Sequence, residues 1–140
     1  MGRLDGDVRR PEQLGRMAIN QLGMVRIALA EDEPDLRAAL ARLLTLLGHE
    51  VVYSAANGAE LLQACADHVV DLVIVDLDMP VMDGLTAAEE LAERGIPAVL
   101  VSGHPDIEEV VLEHEPVVTR VMKPATIEKL NDAIRVALAR

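Results

Sequence analysis

From residue 25 onward, short apolar runs alternate with longer segments in which apolar residues recur every three or four positions. Short apolar runs are typical of buried strands, and the longer spacing is typical of amphipathic helices. We predict five strands and five helices, labelled β1 to β5 and α1 to α5 in chain order. The strands are predicted at residues 25–30, 50–54, 72–75, 97–101 and 117–121. The helices are predicted at residues 34–47, from Asn57 onward, and at 84–94, 106–113 and 126–139.

This alternation implies an α/β domain with a parallel sheet that is covered by helices on both faces. Because crossover connections between parallel strands are right-handed, the predicted arrangement is a doubly wound sandwich of three layers. In such folds the functional crevice lies at the carboxyl ends of the strands. The residues at these ends are therefore the first candidates for a functional site.

Several helices carry signals for their ends and for their buried faces. Pro34 suits the first position of α1, and Gly48 suits its end. Asn57 and Glu60 have the spacing of a capping box at the start of α2. The residues predicted to face the core are Leu36, Leu40, Leu43, Leu44 and Leu47 in α1, Leu61, Leu62 and Cys65 in α2, and Ile127, Leu130, Ile134 and Leu138 in α5.

Composition and charge narrow the functional classes. Hydrophobic residues make up 51% of the 140 residues but aromatic residues only 1%, so the core must be aliphatic. The net charge of −11 repels nucleic acid, and with one tyrosine, no Phe and no Trp there is almost no aromatic surface on which bases could stack. No apolar run approaches the roughly 20 residues that span a bilayer. The single cysteine, Cys65, fits a reducing compartment. We therefore expect a cytoplasmic protein that binds neither nucleic acid nor membrane.

Residues 1–23 differ from the rest of the chain. Four arginines outweigh three acidic residues there, so the acidic excess belongs to residues 24–140. We expect an N-terminal arm over 1–23 and one domain over 24–140. The arm is either a flexible tail or an added contact element, with a short helix over 12–22 as one option. Alternatively, Met24 is the native start.

Polar side chains follow four of the five predicted strands, at the point where each strand ends. They are Glu31 and Asp32 after β1, Asp76 and Asp78 after β3, Ser102 after β4 and Lys123 after β5. Because the carboxyl ends of parallel strands meet at one edge of a sheet, we expect four carboxylates, one hydroxyl and one ammonium to lie close together.

Such a cluster points to phosphoryl chemistry. Crowded carboxylates repel one another unless positive charge lies between them. Lys123 supplies one charge, and Mg²⁺, which prefers oxygen ligands and keeps several waters, is the natural second. A carboxylate can attack phosphorus to form an aspartyl phosphate. The metal, Lys123 and the Ser102 hydroxyl would then neutralise charge on the transferred group.

Four motifs resemble the receiver domain of two-component response regulators. They are AEDEPD at 30–35, VDLDMPVMDG at 75–84, VLVSGH at 99–104 and VMKPA at 121–125. The resemblance covers roughly residues 24–140 and implies a flavodoxin-like sheet in the order 2-1-3-4-5. It implies that Asp76 is the phosphoacceptor and that Ser102 and Lys123 bind the phosphoryl oxygens. It also implies that Mg²⁺ is held by the side chains of Asp32 and Asp76, by the Asp78 carbonyl, and by Glu31 through water.

The resemblance implies partners as well. The phosphoryl donor would be a sensor histidine kinase, a histidine phosphotransfer protein or a small acyl phosphate. The chain would not be an enzyme on other substrates, but would catalyse its own phosphorylation and dephosphorylation. Phosphorylation would change the surface formed by α4, β5 and α5, where a downstream protein or a second copy in a homodimer would bind. The downstream target is unknown.

Two positions depart from the usual receiver pattern. Receivers usually place Tyr or Phe three residues before the lysine, and that position holds Arg120 here. An aromatic residue often follows the Lys-Pro pair, and Ala125 follows it here. We therefore expect the phosphorylation chemistry to be kept while the usual aromatic switch is not. Our hypothesis is that Arg120 stays on the surface and contacts a partner.

Two other functions compete with this interpretation. A pseudo-receiver would bind partners without being phosphorylated, and Arg120 keeps that alternative open. VDLDMP also resembles the start of haloacid-dehalogenase-type phosphatases. That family places its second acidic motif after the lysine, whereas the acidic pair Glu31 and Asp32 comes first here. No output domain is expected in the sequence, so the chain is either a stand-alone receiver, acting through protein contacts or a phosphorelay, or a receiver whose downstream effector was cut off.

Overall fold

The computed structural model describes residues 24–77, 84–103 and 118–139. The arm over 1–23 with its short helix, the predicted helix α4 at 106–113, and Asp78 lie outside the described residues. The observed strands are β1 Arg26–Ala30, β2 Glu50–Ala55, β3 Leu72–Asp76, β4 Ala98–Ser102 and β5 Val118–Met122. The observed helices are α1 Pro34–Leu46, α2 Gly58–Asp67, α3 Gly84–Glu93 and α5 Ile127–Leu138.

The five strands form one sheet in the order β2-β1-β3-β4-β5, and every neighbouring pair is parallel. This order confirms the predicted doubly wound α/β fold. The register aligns the carboxyl ends of the strands, with Ala30 opposite Val75 and Ser102 opposite Met122. The residues that end or follow these strands therefore share one edge of the sheet, which we call the carboxyl edge.

Two aliphatic clusters cover the two faces of the sheet. Helices α1 and α5 pack on one face and helices α2 and α3 on the other. Successive residues of β3 contribute alternately to the two clusters. Leu72 and Ile74 pack against α1 and α5, and Val73 and Val75 pack against α2 and α3. All five residues of β3 are buried. Burial on both faces explains why its sequence is continuously apolar rather than alternating.

The predicted helix signals are confirmed. Pro34 opens α1, and Gly48, just past the end of α1, has a positive φ of 96° that favours glycine. The Asn57 side chain accepts the Glu60 N–H at 2.9 Å, as the capping box requires. The Glu60 carboxylate accepts the N–H of Ala56, one residue before the cap, at 2.9 Å. This reciprocal pair fixes the start of α2.

The prediction that a residue faces the core is wrong at two positions. Leu36 is 46% exposed and Ile127 is 36% exposed, although the residues one turn further along their helices, Leu40 and Leu130, are buried. Both exposed residues lie in the first turn of a helix that starts at the carboxyl edge. The first turn lies beside the rim of the sheet, where little of the sheet is left to pack against. The apolar spacing of the helix therefore continues into a turn whose side chains are not buried.

Strand boundaries also differ by one residue at the functional edge. Strands β3 and β4 end at Asp76 and Ser102 themselves, whereas both residues were predicted to follow their strands. The ladder continues because Leu77 N–H donates to the Val101 carbonyl and Lys123 N–H donates to the Ser102 carbonyl, both at 2.9 Å. Asp76 and Ser102 are thereby held by sheet hydrogen bonds. Among the helices of the described residues, none has both the length and the apolar character needed to cross a membrane.

Candidate functional site

The structure brings the described candidate residues to the carboxyl edge of the sheet. Glu31 and Asp32 follow β1, Asp76 ends β3, Ser102 ends β4 and Lys123 follows β5. Asp76, on the central strand, contacts residues from both sides of β3. Asp78, the sixth candidate, lies outside the described residues. The placement agrees with the strand-end expectation for all five.

Three carboxylates crowd together at this edge. One carboxylate oxygen from each of Glu31, Asp32 and Asp76 lies within 4.8 Å of the other two. Glu31 is 1% exposed and Asp76 is 2% exposed, while Asp32 is open to solvent. Carboxylates this close repel one another, most strongly where they are buried. The described residues therefore hold an acidic cluster, Glu31–Asp32–Asp76, that positive charge would stabilise.

The Glu31 carboxyl responds to its buried position. Its pKa is raised from 4.5 to about 7, chiefly by burial, with smaller contributions from a hydrogen bond and charge repulsion with Asp76. The Glu33 N–H, which donates to Glu31 Oε2 at 3.1 Å, and the Lys123 ammonium act in the opposite direction. A cation bound beside Glu31 would favour its ionised form.

Lys123 is the cation of the site. Its Nζ lies 3.3 Å from Asp76 Oδ1, and its side chain is 28% exposed against 1% for Asp76. The backbone N–H of Lys123 donates to the Ser102 carbonyl, and the peptide bond from Lys123 to Pro124 is cis. The ammonium thus reaches from solvent to a buried carboxylate. It compensates one of the three acidic groups.

Two basic residues near the site were missed by sequence reasoning. Arg37 on α1 donates from Nη1 to the Glu31 carbonyl at 2.9 Å. Lys129 on α5 donates from Nζ to the carbonyls of Met122 and Pro124. Arg37 thus binds the backbone of a site residue and Lys129 the backbone on either side of one, and neither of these contacts is to a charged side chain. Nothing in their spacing separates them from ordinary surface residues, because a contact to a carbonyl leaves no complementary residue type in the sequence.

An apolar groove of about 400 Å³ opens beside the cluster. Leu36, Leu40 and Leu43 of α1 form one wall, while Pro124 and Ala125 contribute from the segment after β5. Glu31 and Lys123 line the groove too, so it is continuous with the acidic cluster. The exposure of Leu36 is explained by its position in this wall. The small side chain of Ala125 stands where receivers often carry an aromatic ring.

The acidic cluster fits a hard divalent cation. Its ligand atoms are oxygens, as Mg²⁺ and Ca²⁺ require, and three neighbouring carboxylates favour a doubly charged ion. The three carboxylates of the described residues leave several coordination positions for water or for a ligand's oxygens. The described residues could therefore hold a metal that keeps an open side.

Comparisons with known proteins agree with this geometry. Residues 27–135 match the family described as response regulator receiver domain. The chain is 35% identical over 117 residues to the transcriptional regulatory protein PdtaR of Mycobacterium tuberculosis, covering 82% of this chain. The match spans 57% of the length of PdtaR. A protein-glutamate methylesterase/protein-glutamine glutaminase of Pseudomonas putida is 41% identical over 80 residues, which is 56% of this chain and 24% of that protein.

Solved structures show the same fold. A response regulator receiver domain protein from Clostridium thermocellum superposes with a TM-score of 0.73 at 26% identity. The match covers 83% of this chain and 95% of that one. The receiver domain of the response regulator NarL from Mycobacterium tuberculosis gives a TM-score of 0.71 at 26% identity, over 83% and 97% of the two chains.

Proposed function

Because the chain belongs to the response regulator receiver domain family, we propose that Asp76 accepts a phosphoryl group from a phosphohistidine donor in a Mg²⁺-dependent reaction. One observation carries the proposal. The Lys123 ammonium lies 3.3 Å from the buried Asp76 carboxylate of a three-acid cluster at the ends of the central strands. An acid held beside a cation and a metal-binding cluster is suited to receive an anionic group.

Mg²⁺ would be held by Glu31, Asp32 and Asp76, with Asp78 expected to add its backbone carbonyl. When bound, the ion neutralises charge on the cluster and on the incoming phosphoryl oxygens. Glu31, buried and with a raised pKa, would act mainly through water, while the exposed Asp32 can reach the ion directly. The roles of these four residues follow the family resemblance.

The transfer itself needs one nucleophile and two donors. An Asp76 carboxylate oxygen attacks phosphorus, the N–P bond of the phosphohistidine breaks, and its electron pair stays on the imidazole. The Lys123 ammonium moves from Asp76 to a phosphoryl oxygen, and the Ser102 hydroxyl donates to another. Water later attacks phosphorus, breaks the acyl phosphate and releases phosphate. Asp76 is then free for another cycle, so the chain would catalyse both reactions on itself.

Phosphorylation would signal through β4 and the segment that follows β5. It adds about −1.5 to −2 charges and three acceptor oxygens. Ser102 ends β4 and Lys123 follows the adjacent strand β5, and the Lys123 N–H donates to the Ser102 carbonyl. Drawing both toward the phosphoryl group would displace the β4–α4 connection and the α4–β5–α5 surface. Coupling of this kind is typically about 1–3 kcal/mol.

The partner surfaces follow from this placement. The apolar groove borders the acidic cluster and would accommodate an apolar helix face of the phosphohistidine donor, a sensor kinase or a phosphotransfer protein. The α4–β5–α5 surface would bind the downstream protein or a second copy. We place the reaction in the cytoplasm, with residues 24–140 as the receiver and residues 1–23 as an arm.

The test is phosphorylation by a small donor. We expect acetyl phosphate with Mg²⁺ to add one phosphoryl group, detected by intact mass. Asp76→Asn should abolish the adduct, with a loss of at least about 100-fold, and a chelator should do the same. Asp67→Asn, an exposed acid at the end of α2, is the matched control and should label normally. An adduct that persists in Asp76→Asn would contradict the proposal.

Other outcomes of this experiment identify the competing functions. A pseudo-receiver would give no adduct with acetyl phosphate or with a phosphohistidine protein, while still folding normally. A phosphatase would hydrolyse a simple phosphate ester over many turnovers with Mg²⁺. Arg120 on β5 is the observation that favours the first of these, because the usual aromatic residue is absent.

Arg120 provides a separate test of the output surface. Its side chain is exposed, as the sequence hypothesis expects. We expect Arg120→Ala to keep phosphorylation and stability within about 0.5 kcal/mol, since exposed substitutions have small effects. Its affinity for a protein that binds only the phosphorylated chain should fall. Unchanged affinity for that protein would rule out a contact role for Arg120.

A further inference from the structure

The segment that carries Lys123 is held from both sides. On one side the Lys123 N–H donates to the Ser102 carbonyl at 2.9 Å. On the other side Lys129 Nζ donates to the carbonyls of Met122 and Pro124, each at 3.2 Å. These two carbonyls flank Lys123 directly. One ammonium on α5 therefore bridges the backbone immediately before and after the residue that reaches Asp76.

Lys129 is itself well placed to bridge. It lies in the first turn of α5, where its own N–H donates to the Thr126 hydroxyl at 3.2 Å. That cap fixes the start of the helix, so the root of the Lys129 side chain is anchored. Although the residue is exposed, both of its side-chain hydrogen bonds within the described part of the chain go to backbone carbonyls. A surface lysine that only serves solubility does not need such a pair of contacts.

From this geometry, and resting on the proposed function, we infer that Lys129 is a positioning residue that holds the Lys123 ammonium over Asp76. The Lys123 side chain is long and flexible, and the backbone position of its root sets where its ammonium can reach. Without Lys129, the segment 122–124 keeps one hydrogen bond to β4 and loses two to α5. The ammonium would then sample positions away from Asp76 and from the phosphoryl oxygens.

The first experiment compares phosphorylation rates with acetyl phosphate and Mg²⁺. Lys129→Met keeps the apolar stem but removes the donors, and we expect the rate to fall roughly threefold to tenfold, because small misplacements of a charged group slow transfer. Lys129→Arg retains donors and should recover the rate to within about twofold.

Arg135→Met is the matched control, since it removes one positive charge from the same helix. Arg135 pairs with Asp132 at 2.6 Å, so its loss should leave the rate unchanged. Equal slowing by Arg135→Met would show a charge effect only and overturn the inference.

A double-mutant cycle separates positioning from general destabilisation. If Lys129 acts through Lys123, then Lys129→Met should have no further effect on the residual rate of Lys123→Ala. If it merely supports the fold, it should slow both backgrounds by the same factor. That second result would overturn the inference.

A second readout does not require phosphorylation. With ¹³C-labelled lysine, the ε-methylene resonance of Lys123 is assigned by its loss in Lys123→Ala. We expect this resonance to shift in Lys129→Met and to stay in place in Arg135→Met. An unshifted resonance in Lys129→Met would contradict the positioning role even if the protein phosphorylates normally. A parent protein that forms no adduct would contradict the proposed function, while this measurement still decides the role of Lys129.

Discussion

The two edges of the sheet use polar residues in opposite ways. At the amino edge, the Asp71 carboxylate accepts the Arg26 N–H at 2.9 Å and His49 Nδ1 accepts the Val25 N–H at 3.2 Å. Each satisfies a backbone group at the start of β1. At the carboxyl edge, Glu31 and Asp76 face each other and Asp32. Polar groups at the first edge complete the fold, whereas those at the second leave electrostatic repulsion that a ligand can relieve.

Lys123→Ala should distinguish the edges most sharply. We expect the phosphorylation rate to fall about 10-fold to 100-fold, because the charge that receives the phosphoryl oxygens is lost. In the absence of Mg²⁺ the free energy of unfolding should also fall, by about 1–2 kcal/mol, because Asp76 stays buried without the Lys123 ammonium beside it. The loss is modest because Lys123 is partly exposed. Acetyl phosphate labelling and urea unfolding measure the two effects. A variant that keeps the full rate would remove Lys123 from the site.

The pH dependence of stability should carry the signature of Glu31. The pKa of the Glu31 carboxyl is about 7 in the folded chain, against an ordinary value of 4.5 that applies to the unfolded chain. Between pH 4.5 and 7 this carboxyl is therefore ionised in the unfolded chain but still protonated in the folded one. The free energy of unfolding without metal should therefore fall as pH rises from about 4.5 to 7, by about 1–3 kcal/mol. Glu31→Gln should flatten this part of the profile, and Mg²⁺ should restore stability at pH 8. An identical pH profile for Glu31→Gln and the parent would refute this account.

The smallest effect is expected at the amino edge. Asp71→Ala leaves the Arg26 N–H without its acceptor, which should cost about 1–2 kcal/mol of unfolding free energy. Its phosphorylation rate should match that of the parent, because no group at the carboxyl edge changes. Denaturant unfolding and labelling by intact mass test both parts. A loss of phosphorylation that exceeds the loss of folded protein would show that the edges are coupled.

Much of the fold could be predicted because the signals are local. The apolar run of β3, the Asn57–Glu60 cap and Gly48 each act on their own neighbourhood, and strand alternation then determines the sheet class. The strand-end residues could be placed at one edge because parallel strands share a direction. The predictions failed at Leu36 and Ile127, where a helix passes the rim of the sheet and the apolar period no longer means burial.

The supporting contacts could not be predicted for a different reason. Arg37 and Lys129 bind carbonyl oxygens, which every residue possesses, so the sequence contains no partner type to look for. The crowding of Glu31 against Asp76 could be expected, but not that burial would dominate the shift of the Glu31 pKa. These properties depend on side-chain directions that emerge only once both faces are packed.

The position of Asp76, the proposed acceptor, within the sheet has a mechanical consequence. Strand β3 has a neighbour on each side and helices on both faces, whereas β5, which leads to Lys123, has only β4 beside it within the described sheet. A strand that is hydrogen-bonded to a neighbour on one side only is easier to displace than a strand bonded on both sides. Attraction between a group on Asp76 and Lys123 should therefore displace β5 more than β3, so the structural change would spread from the central strand toward the edge of the sheet.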